Sequence, residues 1–392
     1  MSYRYAIIGA GRQGTAAAYD IGRFGEAESI LMLDYDESQA AASASRLNQL
    51  LGDNRVSSKH VDAREPKHVA EILKEGKIDG LLSGTHYFYN LGLTKTAIST
   101  ESAMVDLGGN SEVVHQQLKL SSAAARAGVA IIPDCGLGPG MTTTLSLYAM
   151  EQLDEPREVF IWDCGLPKQP EPPWNYRLTF SIDGLTNEYH GDCLFIREGR
   201  TVRVPALEEL ELIEFPEPIG TLEAFTTSGG ITTAAKSYEG ILTTFQNKTL
   251  RYPGHFEKLK VIQDLGLLET NSIEIGAMKV QPREVLHALW EPLIRAEGDT
   301  RDLAIIRILA TGVHQGVETE AQVDLYLEYD EETNFTAMEQ GTGWHAAILA
   351  EAAVMGKVES GVIPVEGAMT GEDFVAEAAR RGFDVQLEVR SQ

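Results

Sequence analysis

Tyr5-Ala6-Ile7-Ile8-Gly9-Ala10-Gly11-Arg12-Gln13-Gly14 joins a short apolar run to a glycine turn, and residues 15–24 follow with small side chains at helical spacing. The glycines fit G-x-G-x-x-G between a predicted strand and a predicted helix. Glycine is needed because the turn is tight, because a pyrophosphate must approach the backbone with no Cβ in the way, and because helix and strand pack closely. The first helical turn then offers unpaired N–H groups and a positive dipole end to phosphate. Asp34 stands 20 residues after Gly14, just past the apolar run 30–33. A carboxylate at the end of the second strand accepts both ribose hydroxyls and repels a 2′-phosphate, so NAD is expected rather than NADP. Gly9, Gly11, Arg12, Gln13, Gly14 and Asp34 are thus cofactor-binding candidates.

Outward from this turn the pattern repeats. Residues 56–61, 78–82, 103–107 and 129–132 are further short apolar runs, each separated from the next by enough chain for a helix. Strands apolar on both faces and joined by helices indicate a doubly wound parallel sheet, an α/β Rossmann domain. In such a sheet Asp62 and Ala63, after the third run, fall where adenine sits, although an Asp there also serves as a helix cap. Thr85, Leu107 and Gly108 follow the fourth and fifth runs and border the crevice beyond the strand ends.

At Asp134-Cys135-Gly136-Leu137-Gly138-Pro139-Gly140 the pattern breaks, and residues 141–150 read as a linking helix. From 157 to about 338 the texture is alternating, with strands predicted at 159–163, 177–182, 194–197, 201–204, 247–252, 273–280, 304–312 and 322–328. Helices are predicted at 257–268 and 283–296. This is an α+β domain with a mixed, mostly antiparallel sheet. The expected division is residues 1–137, 138–340 and 341–392, the last being helices (344–355, 372–381) that pack back on the first domain.

With 392 residues, two domains are expected at roughly 100 to 200 residues each. Lys and Arg number 33 against 58 Asp and Glu, a net charge of −25, which excludes a non-specific nucleic-acid binder. Three widely spaced cysteines fit neither a disulfide framework nor a zinc pattern, and suggest reduced thiols. The N-terminus carries no signal-type segment, and no apolar stretch approaches the ~18 residues of a membrane span, so a cytoplasmic protein with no membrane partner is expected. No lysine follows Gly140 as a P-loop requires, and GxSxG is absent. Cys135 is read as a small packing residue, since Asp134 beside it raises the thiol pKa.

Three further motifs carry a resemblance: Pro133 through Gly140, Asp163-Cys164-Gly165-Leu166-Pro167 and Thr249-Leu250-Arg251-Tyr252-Pro253-Gly254-His255. Together with the glycine turn they resemble the saccharopine dehydrogenase and reductase family over nearly the whole chain. Within it, Asp106-Leu107-Gly108-Gly109, Pro170-Glu171-Pro172-Pro173, Thr227-Ser228-Gly229-Gly230 and the acidic second strand end are most similar to the bacterial L-lysine 6-dehydrogenases. The resemblance implies NAD-dependent oxidative deamination at the ε-carbon of lysine, and a homodimer or homotetramer assembled through the second domain.

Such chemistry needs a neutral amine, hence a base with a pKa near working pH. His255 is the first candidate by intrinsic pKa, Asp134 at the crevice end of the sixth run the second, and His86 the third. An α-carboxylate calls for a guanidinium fork, and Arg251 lies in the motif that resembles the substrate block; stacking on Tyr252 or pairing across the sheet is its structural alternative. Tyr176, Thr227 and Ser228 could add neutral hydrogen bonds, and Trp174 a pocket wall. A saccharopine-type enzyme would need a second carboxylate clamp, for which Arg177, Arg283 and Arg307 are available. A non-catalytic NAD-binding regulator is the third reading.

Overall fold

A computed structural model describes residues 2–298 and 300–391. Its first half alternates β1 (Tyr3–Ile8), α1 (Arg12–Phe24), β2 (Ala27–Asp34), α2 (Glu37–Leu51), β3 (Val56–His60), α3 (Pro66–Gly76), β4 (Gly80–Ser83), α4 (Asn90–Thr100), β5 (Ala103–Asp106), α5 (Ser111–Leu118), α6 (Ser121–Ala127) and β6 (Ala130–Ile132). The strands pair in the order β3-β2-β1-β4-β5-β6, all parallel. Ala6, Ile7 and Ile8 are buried in succession because helices cover both faces, which is why the strands read as unbroken apolar runs. The order reverses between β1 and β4. There the turn after β1 meets the end of β4 so closely that a Cβ on Gly9, at φ 100°, would stand 2.6 Å from the Gly84 carbonyl carbon.

The remainder comprises α7 (Met141–Met150), β7 (Glu155–Pro167), α8 (Ile182–Glu188), β8 (Asp192–Arg197), β9 (Arg200–Pro205), β10 (Glu211–Glu214), β11 (Thr221–Thr226), α9 (Ala234–Ser237), β12 (Thr244–Arg251), α10 (His255–Asp264), β13 (Ile273–Ile275), β14 (Met278–Val280), α11 (Pro282–Ile294), β15 (Asp302–His314), β16 (Val317–Glu328), α12 (Ala337–Val354), β17 (Gly361–Val362), α13 (Gly371–Arg380) and β18 (Val385–Ser391). A nine-stranded sheet runs β10-β11-β12-β7-β15-β16-β18, with β8 joining β12 to β9; only the β12–β7 pair is parallel. The α/β plus mixed-sheet architecture is therefore present as expected from the sequence.

Three local expectations fail. Residues 177–182 are not a strand: Leu178 exchanges backbone bonds with Ile294 and Ala296 at the end of α11, and Ser181 then caps α8 by accepting from the Gly184 N–H at 3.0 Å. The run 273–280 is two strands, because Gly276 at φ 61° turns the chain back on itself. The C-terminal segment supplies more than helices to the first domain. Its Gly361–Val362 strand extends the parallel sheet beyond β6, whereas β18 closes the edge of the second sheet beside β16.

Helix α12 explains why the halves hold together. All but its last residue are buried, with α1 and β4 to β6 on one side and β15 and β16 on the other. An all-round buried helix shows no amphipathic stripe, and this one is rich in Ala and Gly. Its N-terminus is capped twice, by the Thr336–Glu339 capping box and by Asp302 of β15, whose carboxylate accepts from the Ala337 and Met338 N–H groups at 2.7 and 3.0 Å.

Arg381, just past α13, has a fully buried side chain. It meets Asp20 of α1 at 2.8 Å, Glu351 of α12 at 2.9 Å through both carboxylate oxygens, and Glu377 at 2.7 Å. Burial holds the Asp20 carboxyl up at about 6 and Glu351 at about 8, against the lowering pull of the guanidinium. Removing one member of such a cluster strands the others, so Arg381→Met should cost about 3 to 5 kcal/mol in denaturant unfolding. Because the folded state holds protons that the unfolded chain releases, stability from this cluster should fall as pH climbs from about 5 to about 8. Parallel melts in which Arg381→Met is as stable as the parent, or in which the parent gains stability over that window, would contradict the assignment.

Candidate active site

A cleft of about 880 Å3 opens where the carboxyl ends of the parallel strands face the second sheet. One wall is the glycine turn. Gly14 cannot carry a Cβ because the Gly9 carbonyl fills that space, whereas a Cβ on Gly11 would meet nothing within 4 Å. Gly9 and Gly14 are thus demanded by the protein's own packing, and Gly11 keeps open the space a ligand backbone contact would use. Gly11 is also the N-cap of α1 and leaves its first N–H groups without a side-chain cap. Beside them both amide atoms of Gln13 are buried without a partner among the described residues. The Asp34 carboxylate folds back over the turn, accepting from the Ala10 N–H at 2.7 Å and the Asp36 N–H at 2.9 Å, which fixes its orientation at the end of β2. These features fit a dinucleotide, with pyrophosphate against Gly11 to Gln13 and a ribose against Asp34.

Of the remaining cofactor candidates, Thr85, Leu107 and Gly108 line the cleft. Asp62 and Ala63 do not. Asp62 is occupied with Arg64, whose Nε and Nη2 it holds at 2.7 to 3.0 Å, so it presents no free carboxylate to an adenine.

The opposite wall comes from the second sheet. Asp163 of β7 shares an inward face with Val159 and Ile161, a carboxylate in an apolar period of two. Its Oδ1 accepts from Asn247 Nδ2 at 2.7 Å, and its Oδ2 lies where a Cβ on Gly138 would reach 2.8 Å. Burial raises this carboxyl to about 6. Glu188, at the end of α8, keeps about a quarter of its side chain open, and burial raises it to about 7 against the pull of Arg251. Neither acid was picked out from the sequence. Asp163 left a signal, an acid on the buried face of a strand; Glu188 left none.

Arg251 lies in the cleft with its donors largely spent. Nε donates to Tyr189 Oη at 3.0 Å, Nη1 to the Leu250 carbonyl at 2.9 Å and Thr249 Oγ1 at 3.4 Å, and Nη2 to Glu188 Oε2 at 3.1 Å. By inventory one Nη2 hydrogen remains, so the expected two-pronged clamp on a carboxylate is closed by Glu188. The guanidinium sits 5.0 Å from the Tyr176 ring centroid rather than on Tyr252. Tyr176, Thr227 and Ser228 all line the cleft.

The histidine expected as base is elsewhere. His255 begins α10, whose start is pinned by Glu223 accepting from the Gly254 and Phe256 N–H groups at 2.7 and 2.9 Å, and its ring turns inward. It is 1% exposed, and burial with nearby Arg251 drives its pKa down to about 3. The only tautomer serving both neighbours donates from Nδ1 to the Trp174 carbonyl at 3.4 Å and accepts at Nε2 from Tyr189 Oη at 3.1 Å. The chain Trp174, His255, Tyr189, Arg251, Glu188 is therefore a directed relay, and His255 orients the site from behind. Trp174 packs on Trp290 at the edge of the core and does not line the cleft.

Asp134, the second candidate base, is sealed under the Gly108 backbone with φ 62°, and among the described residues neither oxygen makes a full hydrogen bond, Thr232 being the polar group beside it. Burial and then Asp106 push its carboxyl well above the ordinary carboxylate range, against a lowering pull from Thr232, so its charged form is disfavoured. His86 does line the cleft, stacked on Phe88 at 4.2 Å with Nε2 3.7 Å from Asp183, and burial lowers its pKa.

Known proteins resemble the chain at two levels. The family model described as saccharopine dehydrogenase NADP binding domain matches residues 5–132, and that described as saccharopine dehydrogenase C-terminal domain matches residues 136–383. A saccharopine dehydrogenase [NADP(+), L-glutamate-forming] of Saccharomyces cerevisiae is 24% identical over 257 residues, 62% of this chain and 55% of that protein. Its namesake in Pyricularia oryzae is 23% identical over 210 residues, 51% of this chain and 45% of that protein. The chain thus spans about half the length of these curated relatives. Among solved structures, apo saccharopine dehydrogenase (L-Glu forming) from Saccharomyces cerevisiae superposes with a TM-score of 0.76 at 16% identity, covering 99% of this chain and 100% of that one.

The relay makes Arg251 and His255 separable by experiment. Arg251→Ala leaves Glu188 buried without its counter-charge and should lower stability by about 3 to 5 kcal/mol, and Arg251→Lys should restore little because an ammonium cannot serve four acceptors in a plane. His255→Leu orphans one carbonyl and one hydroxyl donor, which should cost about 1 to 3 kcal/mol. Denaturant titration of the three variants checks the order. A His255→Leu chain as stable as the parent would break the relay.

Proposed function

Because the chain belongs to the saccharopine dehydrogenase family, we propose that it oxidises the ε-amine of L-lysine, with NAD as acceptor, to the 6-semialdehyde with release of ammonia. The observation that carries this reading is the charge of the cleft floor. Asp163 and Glu188 face one guanidinium that is already committed, which leaves a surplus negative charge for a cationic amine. The arginines that a substrate with an added dicarboxylate arm would use are engaged elsewhere. Arg177 is tied to Glu171, Arg307 holds Asp324 at 2.7 Å on the sheet, and Arg283 is bonded to the Leu268 carbonyl and Asn187. None of the three lines the cleft.

In this reading Asp163 takes the proton from the bound ammonium. Its raised pKa keeps it a competent proton acceptor near neutrality, and Asn247 fixes the carboxylate so that Oδ2 faces the ligand. A nicotinamide, when bound, supplies the hydride acceptor. Water adds to the iminium carbon and ammonia departs; Glu188, balanced by Arg251, stands ready to hold the proton released from that water. The last Arg251 N–H meets the α-carboxylate; Arg203 and Arg295 line the cleft but are paired with Asp192 at 3.7 Å and Glu291 at 2.6 Å. NAD is favoured over NADP by Asp34 and by Asp36 and Glu37 close behind it.

Following NADH absorbance with lysine, saccharopine and other amino acids tests the substrate. Lysine should be oxidised with NAD, and kcat/KM should rise with pH through about 6 to 7 as Asp163 ionises. Asp163→Asn should lower it by about 10² to 10⁴. Oxidation of saccharopine but not of lysine would overturn the reading.

We also propose that the chain self-associates. Helix α11 exposes Val285, Leu289 and Leu293 at four-residue spacing, and the hairpin leading into it exposes Ile273, Ile275 and Met278. A stripe of this kind suits a self-complementary partner. Sedimentation should give a multiple of 42.9 kDa, and Leu289→Glu should shift the protein toward monomer; a parent that sediments as a monomer would refute it.

A further inference from the structure

Beyond the end of β2, next to Tyr35, stands a cation that its own neighbour disarms. Asp34 ends β2 opposite His60 of β3, and its carbonyl accepts from the Val61 N–H at 2.9 Å, so the turn 61–64 lies beside the Asp34 carboxylate. Tyr35, the next residue, is largely exposed. The Arg64 guanidinium stands over its ring at 5.6 Å, and the His60 ring lies 5.7 Å from it. Arg64 is thus in the region where a 2′-phosphate would need a cation. Its fork, however, is closed. Asp62 accepts from Arg64 Nη2 at 2.7 Å, from Nε at 2.9 and 3.0 Å, and from the Arg64 backbone N–H at 2.9 Å. The Asp62 side chain is mostly covered while that of Arg64 is 63% exposed, so it is the short chelate between residues two apart, and not burial, that holds the fork.

We propose that Asp62 is a specificity-determining residue that enforces the preference for NAD by keeping the Arg64 guanidinium away from a 2′-phosphate. Asp34 repels that phosphate directly; Asp62 removes the group that would compensate. Two carboxylates on neighbouring strands therefore act on the same discrimination by independent routes, one through repulsion and one through sequestration. A phosphate dianion competes with Asp62 for one planar fork, and cannot have it while the chelate is intact.

The inference rests on the dinucleotide reading of the cleft and is independent of the amine substrate, so the test is equilibrium binding. NADH and NADPH are titrated by their nicotinamide fluorescence into the parent, Asp62→Asn, Arg64→Ala and the double variant. Asn keeps the acceptor for the Arg64 backbone N–H but loses the charge that holds the fork. The parent should bind NADH more tightly. Asp62→Asn should tighten NADPH by about tenfold while NADH changes little, and adding Arg64→Ala should abolish the gain. An unchanged Kd for NADPH in Asp62→Asn, or a gain that survives Arg64→Ala, overturns the proposal while the dinucleotide reading stands. If neither dinucleotide binds the parent, both fall together.

Discussion

The approach of α12 to α1 is the constraint on which the rest of the structure depends. A Cβ on Gly343 would stand 2.8 Å from both the Ala16 Cβ and the Ala17 backbone nitrogen, so the two helices are already at the closest distance their backbones allow. On the far side of α12 the residue two positions earlier, Gly341, faces Leu137 and Leu327. The helix therefore has no slack in either direction. Since α1 begins at the glycine turn and β7 carries Asp163, the thickness of this helix sets how far the two walls of the cleft stand apart. Buried His345 adds a polar tie, donating from Nδ1 to the Cys135 carbonyl at 2.8 Å and accepting at Nε2 from Thr144 Oγ1 at 3.0 Å. Burial lowers its pKa to about 4, so the tie is neutral at physiological pH.

A chain with 25 more negative than positive residues must decide which carboxylates to bury, and the partners of each buried acid indicate its task. Asp302 is satisfied by two helix N–H groups and caps α12; Asp20 and Glu351 share Arg381 and lock the C-terminal segment. Those acids are paired with helix N–H groups or with Arg381 and face protein. Asp163 has one side-chain partner, and its other oxygen looks into the cleft. Glu188 shares an arginine and remains partly open. Burial raises the proton affinity of all these acids, and what sets Asp163 and Glu188 apart is that they border the cleft.

His255 and Arg251 show how a motif misleads when it is read as a row of independent groups. Four residues apart in one block, they suggest a base and a clamp. In the fold they are successive members of one hydrogen-bonded chain with Tyr189 between them. The imidazole is neutral because the same burial that makes the relay directional makes a charge there costly.

The sequence by itself determined the parallel sheet, the glycine turn, Asp34 and the mixed second sheet, because each is encoded by periodicity or by spacing within a few dozen residues. It also determined that Arg251, Tyr176, Thr227 and Ser228 belong to the cleft, through motifs that resemble a family. Only the tertiary structure decided that residues 177–182 serve the end of α11, that the C-terminal segment adds a strand to each sheet, that His255 and Asp134 lie behind the cleft surface, and that Asp163 and Glu188 are among the acids lining it. The physical reason is that burial and pairing are nonlocal. Whether a carboxyl is a base, a cap or a counter-ion depends on Asn247, Gly138 and Arg251 arriving from other strands and turns, and no single segment of the chain carries that arrangement.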